Sequence, residues 1–153
     1  MDKIKIFLKE NGLFLLTIAA CLIFTFNFKV LTVSGNSMDT TLAEGEMHLA
    51  LITDEFERGD IVVADCKALD TIIIKRVIGL PGETIEIKNN EVYINGETIE
   101  EPYINGFMLT PDISSFTLND DEYFLCGDNR NKSSDSRMFG PIKRIDMIGK
   151  MIF

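Results

Sequence analysis

Histidine and cysteine are scarce in this 153-residue chain, which has one histidine, His48, and three cysteines, Cys21, Cys66 and Cys126. The cysteines are too few and too far apart for a disulfide framework or a paired metal-binding knuckle, although a Cys66–Cys126 bridge stays open. With one histidine and no cysteine cluster, we expect no zinc site. His48 also lacks the neighbouring Asp or Ser spacing of a triad base, which disfavours a Ser-His-Asp mechanism.

Basic residues are also scarce, with 15 Lys and Arg against 24 Asp and Glu, which gives a net charge of −9. Residues 1–30 carry a net charge of +2, so residues 31–153 carry −11. Nucleic acid phosphates require Lys and Arg, and the acidic body therefore argues against nucleic acid as a partner. Neutral and basic partners stay open.

Charge is absent altogether from Gly12 to Phe28, a run rich in Leu, Ile and Phe. As a helix this run would span ~26 Å, slightly less than the ~30 Å hydrocarbon core of a bilayer, and a snorkelling Lys29 can extend it to Val33. We therefore predict one uncleaved transmembrane anchor over residues 12–33. The alternatives are a buried core helix and a cleaved secretory signal, although the one pair of adjacent alanines lies inside the run rather than after it.

Three lysines, Lys3, Lys5 and Lys9, precede this run. Basic flanks favour the cytoplasmic side of a membrane, so we predict that residues 1–11 form a cytoplasmic N-terminus. Residues 34–153 would then form an extracytoplasmic domain.

After residue 34 the apolar residues recur with a period of two. Thr84 to Lys88 alternates, Asn89-Asn90 predicts a turn, and Glu91 to Ile94 alternates again, which indicates a hairpin. No long amphipathic helix follows the apolar run. We predict a mainly β protein, a small antiparallel β-sheet domain preceded by one transmembrane helix, with further strands over residues 47–52, 61–64, 71–78, 123–126 and 148–153.

Lys75 is an unusual feature of the strand predicted over residues 71–78. Residues 73, 75 and 77 share one face of a strand, which puts Lys75 between Ile73 and Val77. Desolvation there would lower the pKa of the amine, and a neutral lysine can act as a general base. The alternative is an edge strand on which Lys75 and Arg76 snorkel to water.

The segment Ser34-Gly35-Asn36-Ser37 offers a candidate nucleophile just after the apolar run. Small residues before Ser37 allow the backbone to bend closely around its hydroxyl, and the Ser37 amide could face a developing oxyanion. A hydroxyl-rich turn that joins the anchor to the body is the alternative.

A third segment, residues 127–137, holds many turn-forming and charged residues directly after a predicted strand. Such a loop can supply hydroxyls and an Asp/Arg pair that brace a neighbouring site. The alternative is a solvated surface loop.

These segments, in this order and behind an apolar run, resemble bacterial type I signal peptidases, the membrane-anchored serine proteases that remove signal peptides. The family pattern Ser-Met-x-Pro-Thr-Leu is matched by residues 37–42 with Thr40 for Pro, and residues 75–83, Lys-Arg-Val-Ile-Gly-Leu-Pro-Gly-Glu, agree throughout. Gly59-Asp60-Ile61-Val62 is similar to the family's intervening strand. The last segment, usually Gly-Asp-Asn-Arg-Asp-Asn-Ser-x-Asp-Ser-Arg, has Asn131 for Asp and Lys132 for Asn.

The resemblance implies a Ser-Lys dyad, with Ser37 as nucleophile and Lys75 as general base. Gly35 stands where some members place a hydroxyl in the oxyanion hole, so the hole would rely on backbone amides, chiefly that of Ser37. Thr40 would make the turn less rigid, and Lys132 would lower the pKa of Lys75 only if it pointed inward. The supporting roles implied are that Ser133 orients Lys75, Ser136 supports the lysine's surroundings, Asp135 and Arg137 brace the loop, and Asp128 and Arg130 shape it.

The resemblance also implies a substrate and a location. Signal peptides of exported preproteins would bind as an added strand between the chain before Ser37 and the strand of Lys75, and be cleaved after small residues. Met38, Leu42 and Ile74 are the candidate pocket residues. No metal or cofactor is required, and we expect a single-pass monomer in the bacterial cell membrane whose partners are signal peptides and the lipid bilayer.

Other functions stay open. A self-cleaving repressor-type protease would need a cytoplasmic body and a DNA-binding module, which the apolar run and the −11 charge oppose. A related peptidase that is specialised for a narrow set of substrates, such as a pilin, is harder to distinguish from a general signal peptidase. A membrane-tethered β-module that binds without catalysis is opposed by the intact Ser37, Lys75, Ser133 and Asp135.

Overall fold

The chain forms one long N-terminal helix followed by short strands, in a computed structural model that describes residues 2–104 and 109–153 and, of residues 2–10, the backbone alone. The elements are α1 Asp2–Asn27, β1 Phe28–Thr32, β2 Met47–Leu51, β3 Ile61–Cys66, β4 Thr71–Gly79, β5 Thr84–Lys88, β6 Glu91–Ile94, β7 Glu97–Thr98, β8 Ile113–Thr117, β9 Glu122–Cys126, α2 Ser136–Phe139, β10 Ile142–Lys143 and β11 Met147–Ile152, with 3₁₀ turns at Arg130–Lys132 and Arg144–Asp146.

The strands form two sheets whose pairs are all antiparallel. A seven-stranded sheet has the order β1-β2-β11-β3-β4-β9-β10, and a four-stranded sheet has the order β7-β6-β5-β8. The predicted hairpin is confirmed, because β5 pairs with β6 and the linking Asn89 and Asn90 adopt the positive φ angles of a tight hairpin turn. The mainly β, antiparallel architecture is therefore as the sequence predicts.

Strand β4 has an open edge along its first half. It pairs with β3 from Thr71 to Arg76, but with β9 only from Arg76 to Gly79. Within the part of the chain that the structure describes, no strand pairs with residues 71–75 on the second side. Backbone N–H and C=O groups of such an edge are available to an added strand.

An apolar cluster lies beneath the segment that contains Ser37. Met38 and Leu42 are 1% and 0% exposed, and each stabilises this segment by about 1.5–3 kcal/mol through burial. The cluster comprises Val33, Met38, Leu42, Ile61 and Met151, with Ile74 packed against it.

The predicted anchor is wrong at its C-terminal end. Helix α1 covers the apolar run but ends at Asn27, and Phe28–Thr32 form β1 instead of continuing the helix to Val33. The reason is that β2 offers these residues a complete antiparallel partner, from Phe28 opposite Leu51 to Thr32 opposite Met47. Among the described residues, no helix combines the length and the apolar character needed to cross a membrane.

Candidate active site

Ser37 and Lys75 lie side by side in the structure. Lys75 Nζ is 2.7 Å from Ser37 Oγ and donates a hydrogen bond of 2.9 Å to the carbonyl oxygen of Ile74. The buried face of β4 carries Ile73, Lys75 and Val77, as the period-two pattern predicts, and Lys75 is only 5% exposed. The alternative of a snorkelling lysine is therefore wrong.

Burial is the largest influence on Lys75, and it lowers the pKa of the amine below its ordinary value of 10.5 because the charged form loses its hydration. The carboxylates of Asp135 and Asp128 act in the opposite direction and only partly offset burial. Burial also raises the pKa of the nearby Cys126 thiol, which therefore stays protonated and uncharged. Lys75 is thus neutral over a wider pH range than an exposed lysine and can accept a proton.

Asp128 joins the three segments of the site. Its carboxylate accepts hydrogen bonds from Arg76 Nε at 2.8 Å and Nη2 at 2.6 Å, and from Thr41 Oγ1 at 2.5 Å. Arg76 follows Lys75 on β4, and Thr41 lies four residues after Ser37. The predicted role of Asp128 in shaping its own loop is thus too narrow, because its contacts also hold the nucleophile segment against the lysine strand.

Asn129 makes a second connection from the same loop to the nucleophile segment. Its backbone N–H donates to Ser37 O at 3.0 Å, and its side-chain amide donates to Asn36 O at 3.0 Å. The backbone of Ser37 is therefore fixed from the loop side. The sequence did not predict a role for Asn129, although this residue lies within the candidate loop of residues 127–137.

Asp135 and Arg137 form a buried ion pair, as predicted for the braces of the loop. Arg137 Nε and Nη2 donate to Asp135 at 2.7 and 2.8 Å, and Asp135 also accepts from Gly127 N at 2.9 Å. Burial acts to raise the pKa of Asp135, but these hydrogen bonds outweigh it and hold that pKa below its ordinary value. Ser136 accepts a hydrogen bond from Leu125 N at 3.0 Å and so ties the loop to β9.

Arg130 is buried and pairs with Glu101, which comes from the segment after β7. In the same segment Tyr103 lies under Arg76, with the guanidinium 4.1 Å from the ring centroid. Glu101 therefore stabilises Arg130 in the loop after β9, and Tyr103 stabilises Arg76, which follows Lys75. No local motif marked either residue, since their partners lie 27 to 29 residues away in the chain.

The prediction that Ser133 hydrogen-bonds Lys75 is wrong in this structure. The Ser133 hydroxyl is buried and forms no hydrogen bond with Lys75, whose amine contacts Ser37 and Ile74. It interacts instead with Asp135, where it helps to lower the pKa of that carboxyl. Ser133 is packed against Gly127, where an added Cβ would lie 2.3 Å from Ser133 Oγ and 2.5 Å from Ser37 O. Ser133 directly follows the 3₁₀ turn Arg130–Lys132 and has an extended backbone.

A groove of about 550 Å³ contains the dyad. One wall is the chain from Leu31 to Met38, and the other is the open half of β4 from Thr71 to Lys75. Leu69, Lys132 and Ser134 complete the lining. Gly35 lies in the first wall with a φ of +82°, a left-handed conformation that favours glycine.

The three predicted pocket residues differ in position. Met38 and Ile74 line the groove, but Leu42 does not, and the prediction for Leu42 is wrong. Leu42 is 0% exposed because its side chain is part of the apolar cluster under the nucleophile segment. Met38 belongs to the same cluster and also lines the groove.

The remaining candidates lie away from the dyad or make no bond to it. His48 contacts Glu46 and the ring of Phe153 on the surface, in agreement with a structural role. Cys66 and Cys126 are free thiols, so they form no disulfide bond with each other in this structure. Lys132 is exposed to water rather than directed inward, so the condition under which it would lower the pKa of Lys75 is not met.

Known proteins resemble this chain over most of its length. The family model for signal peptidase, peptidase S26, matches residues 8–153. The chain is 38% identical to signal peptidase I P of Bacillus subtilis subsp. natto, over 90% of this chain and 84% of the relative. It is 35% identical to signal peptidase I of Streptococcus pneumoniae serotype 4, over 100% of this chain and 95% of the relative.

A solved structure shares the fold. The crystal structure of a signal peptidase I from Enterococcus faecalis V583 superposes with a TM-score of 0.58 and 31% identity, covering 64% of this chain and 97% of that one. The match between family model and sequence extends over nearly the whole chain. The chain therefore belongs to the signal peptidase family, peptidase S26.

Proposed function

We propose that this chain is a signal peptidase I that cleaves N-terminal signal peptides from exported preproteins, with Ser37 as nucleophile and Lys75 as general base. The observation that carries the proposal is the 2.7 Å separation of Lys75 Nζ and Ser37 Oγ, with the amine buried and its pKa lowered. A buried amine within reach of a serine hydroxyl is the arrangement that activates such a nucleophile.

The mechanism follows from the contacts of the two side chains. One N–H of neutral Lys75 donates to Ile74 O, which leaves the lone pair free to accept the proton of Ser37. Ser37 Oγ attacks the scissile carbonyl, Lys75 returns the proton to the leaving amine, and Lys75 then activates the water that hydrolyses the acyl-enzyme. No step requires a metal or cofactor.

The oxyanion would be stabilised by backbone amides near Ser37 and Gly35. The N–H of Ser37 donates to no acceptor among the residues that the structure describes, which leaves it available for a substrate oxygen. Its carbonyl is held by Asn129, so the peptide group of Ser37 keeps a fixed orientation. A Cβ added at Gly35 would meet no atom within 4 Å, so the space beside this residue is open.

The substrate would lie in the groove as an extended strand. The unpaired edge of residues 71–75 faces the chain from Leu31 to Ser37, and a peptide between them can hydrogen-bond to backbone on each side. Met38 and Ile74 are the proposed contacts of small side chains near the cleaved bond.

We further propose that α1 attaches the protein to the bacterial cell membrane, with the N-terminus in the cytoplasm and residues 34–153 outside. The support is the uncharged run from Gly12 and the outward exposure of its large apolar side chains. Fractionation of cells that produce the protein, followed by protease treatment of intact spheroplasts, tests this. The domain should sediment with membranes and be degraded from outside; protection of the domain would contradict the orientation.

The test of the activity uses the purified full chain and a preprotein with an intact signal peptide. We expect a new N-terminus after a small residue with the natural protein and none with Ser37→Ala. Ser115→Ala, an exposed serine of β8, is the matched control and should cleave normally. Cleavage by Ser37→Ala at the natural rate would contradict the proposal, and absence of cleavage by the natural protein would favour a binding module.

A further inference from the structure

Among the described residues, the lining of the groove contains lysine side chains and no acidic ones. Of the described residues in its lining, Lys75 and Lys132 are the two with titratable side chains, and no Asp or Glu is among them. This is unusual for a chain with a net charge of −9. Lys75 is buried against Ser37, so Lys132 is the exposed charge that a bound peptide would meet.

Lys132 lies close to the dyad end of the groove. Its backbone N–H donates to Asn129 O at 3.0 Å, and the N–H of Asn129 donates to Ser37 O at 3.0 Å. One 3₁₀ turn therefore separates Lys132 from the residue that holds the nucleophile. The groove also has apolar lining residues, among them Leu69 from the β3–β4 connection and Ile72 of β4.

The Lys132 ammonium is not committed to a partner. Among the residues whose side chains the structure describes, it forms no ion pair. Its side chain is exposed, so the charge stays hydrated until a substrate approaches.

We propose that Lys132 is a specificity-determining residue that selects peptide substrates with an acidic side chain close to the scissile bond and disfavours those with a basic one. The inference rests on the proposed peptidase function. An ion pair with an exposed lysine stabilises the complex with an acidic peptide, and like-charge repulsion weakens binding of a basic one. Because the pair is exposed, the preference is modest and falls as salt is added.

The experiment measures kcat/KM for peptides that span one cleavage site and carry Asn, Asp or Lys at each flanking position in turn. With the natural protein at low salt, we expect an Asp peptide to be cleaved about two- to fivefold faster than its Asn counterpart for at least one position. The ratio should fall to one with Lys132→Gln, and with Lys132→Glu the Lys peptide should become the better substrate. In ~1 M salt the ratio should approach one for all variants.

Lys143→Gln is the matched control, because it removes the same charge from an exposed residue of β10 that does not line the groove. It should keep the full preference for Asp. Equal Asp-to-Asn ratios for the natural protein and Lys132→Gln at every position would overturn the role of Lys132, while Ser37-dependent cleavage of the Asn peptides would leave the peptidase function intact. Failure to cleave the Asn, Asp and Lys peptides alike would overturn both.

Discussion

Arg76 and Asp128 are joined by two parallel charge-assisted hydrogen bonds of 2.8 and 2.6 Å, and the same carboxylate binds Thr41. Asp128 is 1% exposed and Arg76 11% exposed at their side chains, so loss of one partner leaves the other charged and buried. Arg76 directly follows Lys75 on β4, and Asp128 connects this strand through Thr41 to the segment that carries Ser37. Stability and activity are therefore coupled at this point.

Replacement of Asp128 by Ala should lower the free energy of unfolding by about 3–5 kcal/mol, because the Arg76 guanidinium loses its buried partner. Denaturant unfolding measures this. Asp54→Ala, which breaks the exposed pair with Arg144, is the control and should cost far less. Equal losses for the two variants would show that the buried pair does not hold the segments together.

The activity should depend on pH through Lys75. The neutral amine is the active form, so kcat/KM should rise as the pH rises through the lowered pKa of Lys75 and be lost as the pH falls through it. Preprotein cleavage over a pH series measures this limb. A half-maximum at the ordinary lysine value of about 10.5 would contradict a desolvated base.

Gly127 has no room for a side chain. An added Cβ would lie 2.5 Å from Ser37 O and 2.3 Å from Ser133 Oγ, and the first of these is backbone that cannot rotate away. Gly127→Ala should therefore displace Ser37 and reduce kcat by up to about 100-fold. In Gly12→Ala the new Cβ meets nothing within 4 Å, so that variant should cleave normally. Unchanged kcat in Gly127→Ala would argue that the position of Ser37 does not depend on this contact.

Leu42 should behave as a core residue rather than a pocket residue. Leu42→Ala should lower the free energy of unfolding by about 2–5 kcal/mol, because it leaves a cavity in a fully buried cluster. Leu69→Ala, in the groove and 44% exposed, should instead change KM with little effect on unfolding. The reverse pattern in unfolding and kinetic measurements would show that the assignment of these two leucines is wrong.

The sequence predicts much of the body because its local patterns are short and regular. The alternation of residues 84–94 around Asn89-Asn90 is enough by itself to predict a hairpin. The alternation around Lys75 places its side chain on the buried face of β4. The resemblance in motifs adds the pairing of Ser37 with Lys75, two residues 38 positions apart that local pattern alone does not connect.

The rest depends on contacts that local patterns do not encode. Phe28–Thr32 continues an apolar run and becomes a strand because β2 is there to pair with it. Leu42 lies in an irregular turn with no period to show its direction, and Ser133 follows a 3₁₀ turn and packs against Gly127. Glu101 and Tyr103 reach the site from a distant segment through Arg130 and Arg76.

The most direct test of the account is the rate of preprotein cleavage by Lys75→Ala, measured across the pH range beside Lys88→Ala, an exposed lysine of β5. The account predicts a loss of at least about 100-fold for Lys75→Ala at every pH, with the protein still folded, and a natural rate for Lys88→Ala. Full activity in folded Lys75→Ala would contradict the central claim that this buried amine activates Ser37.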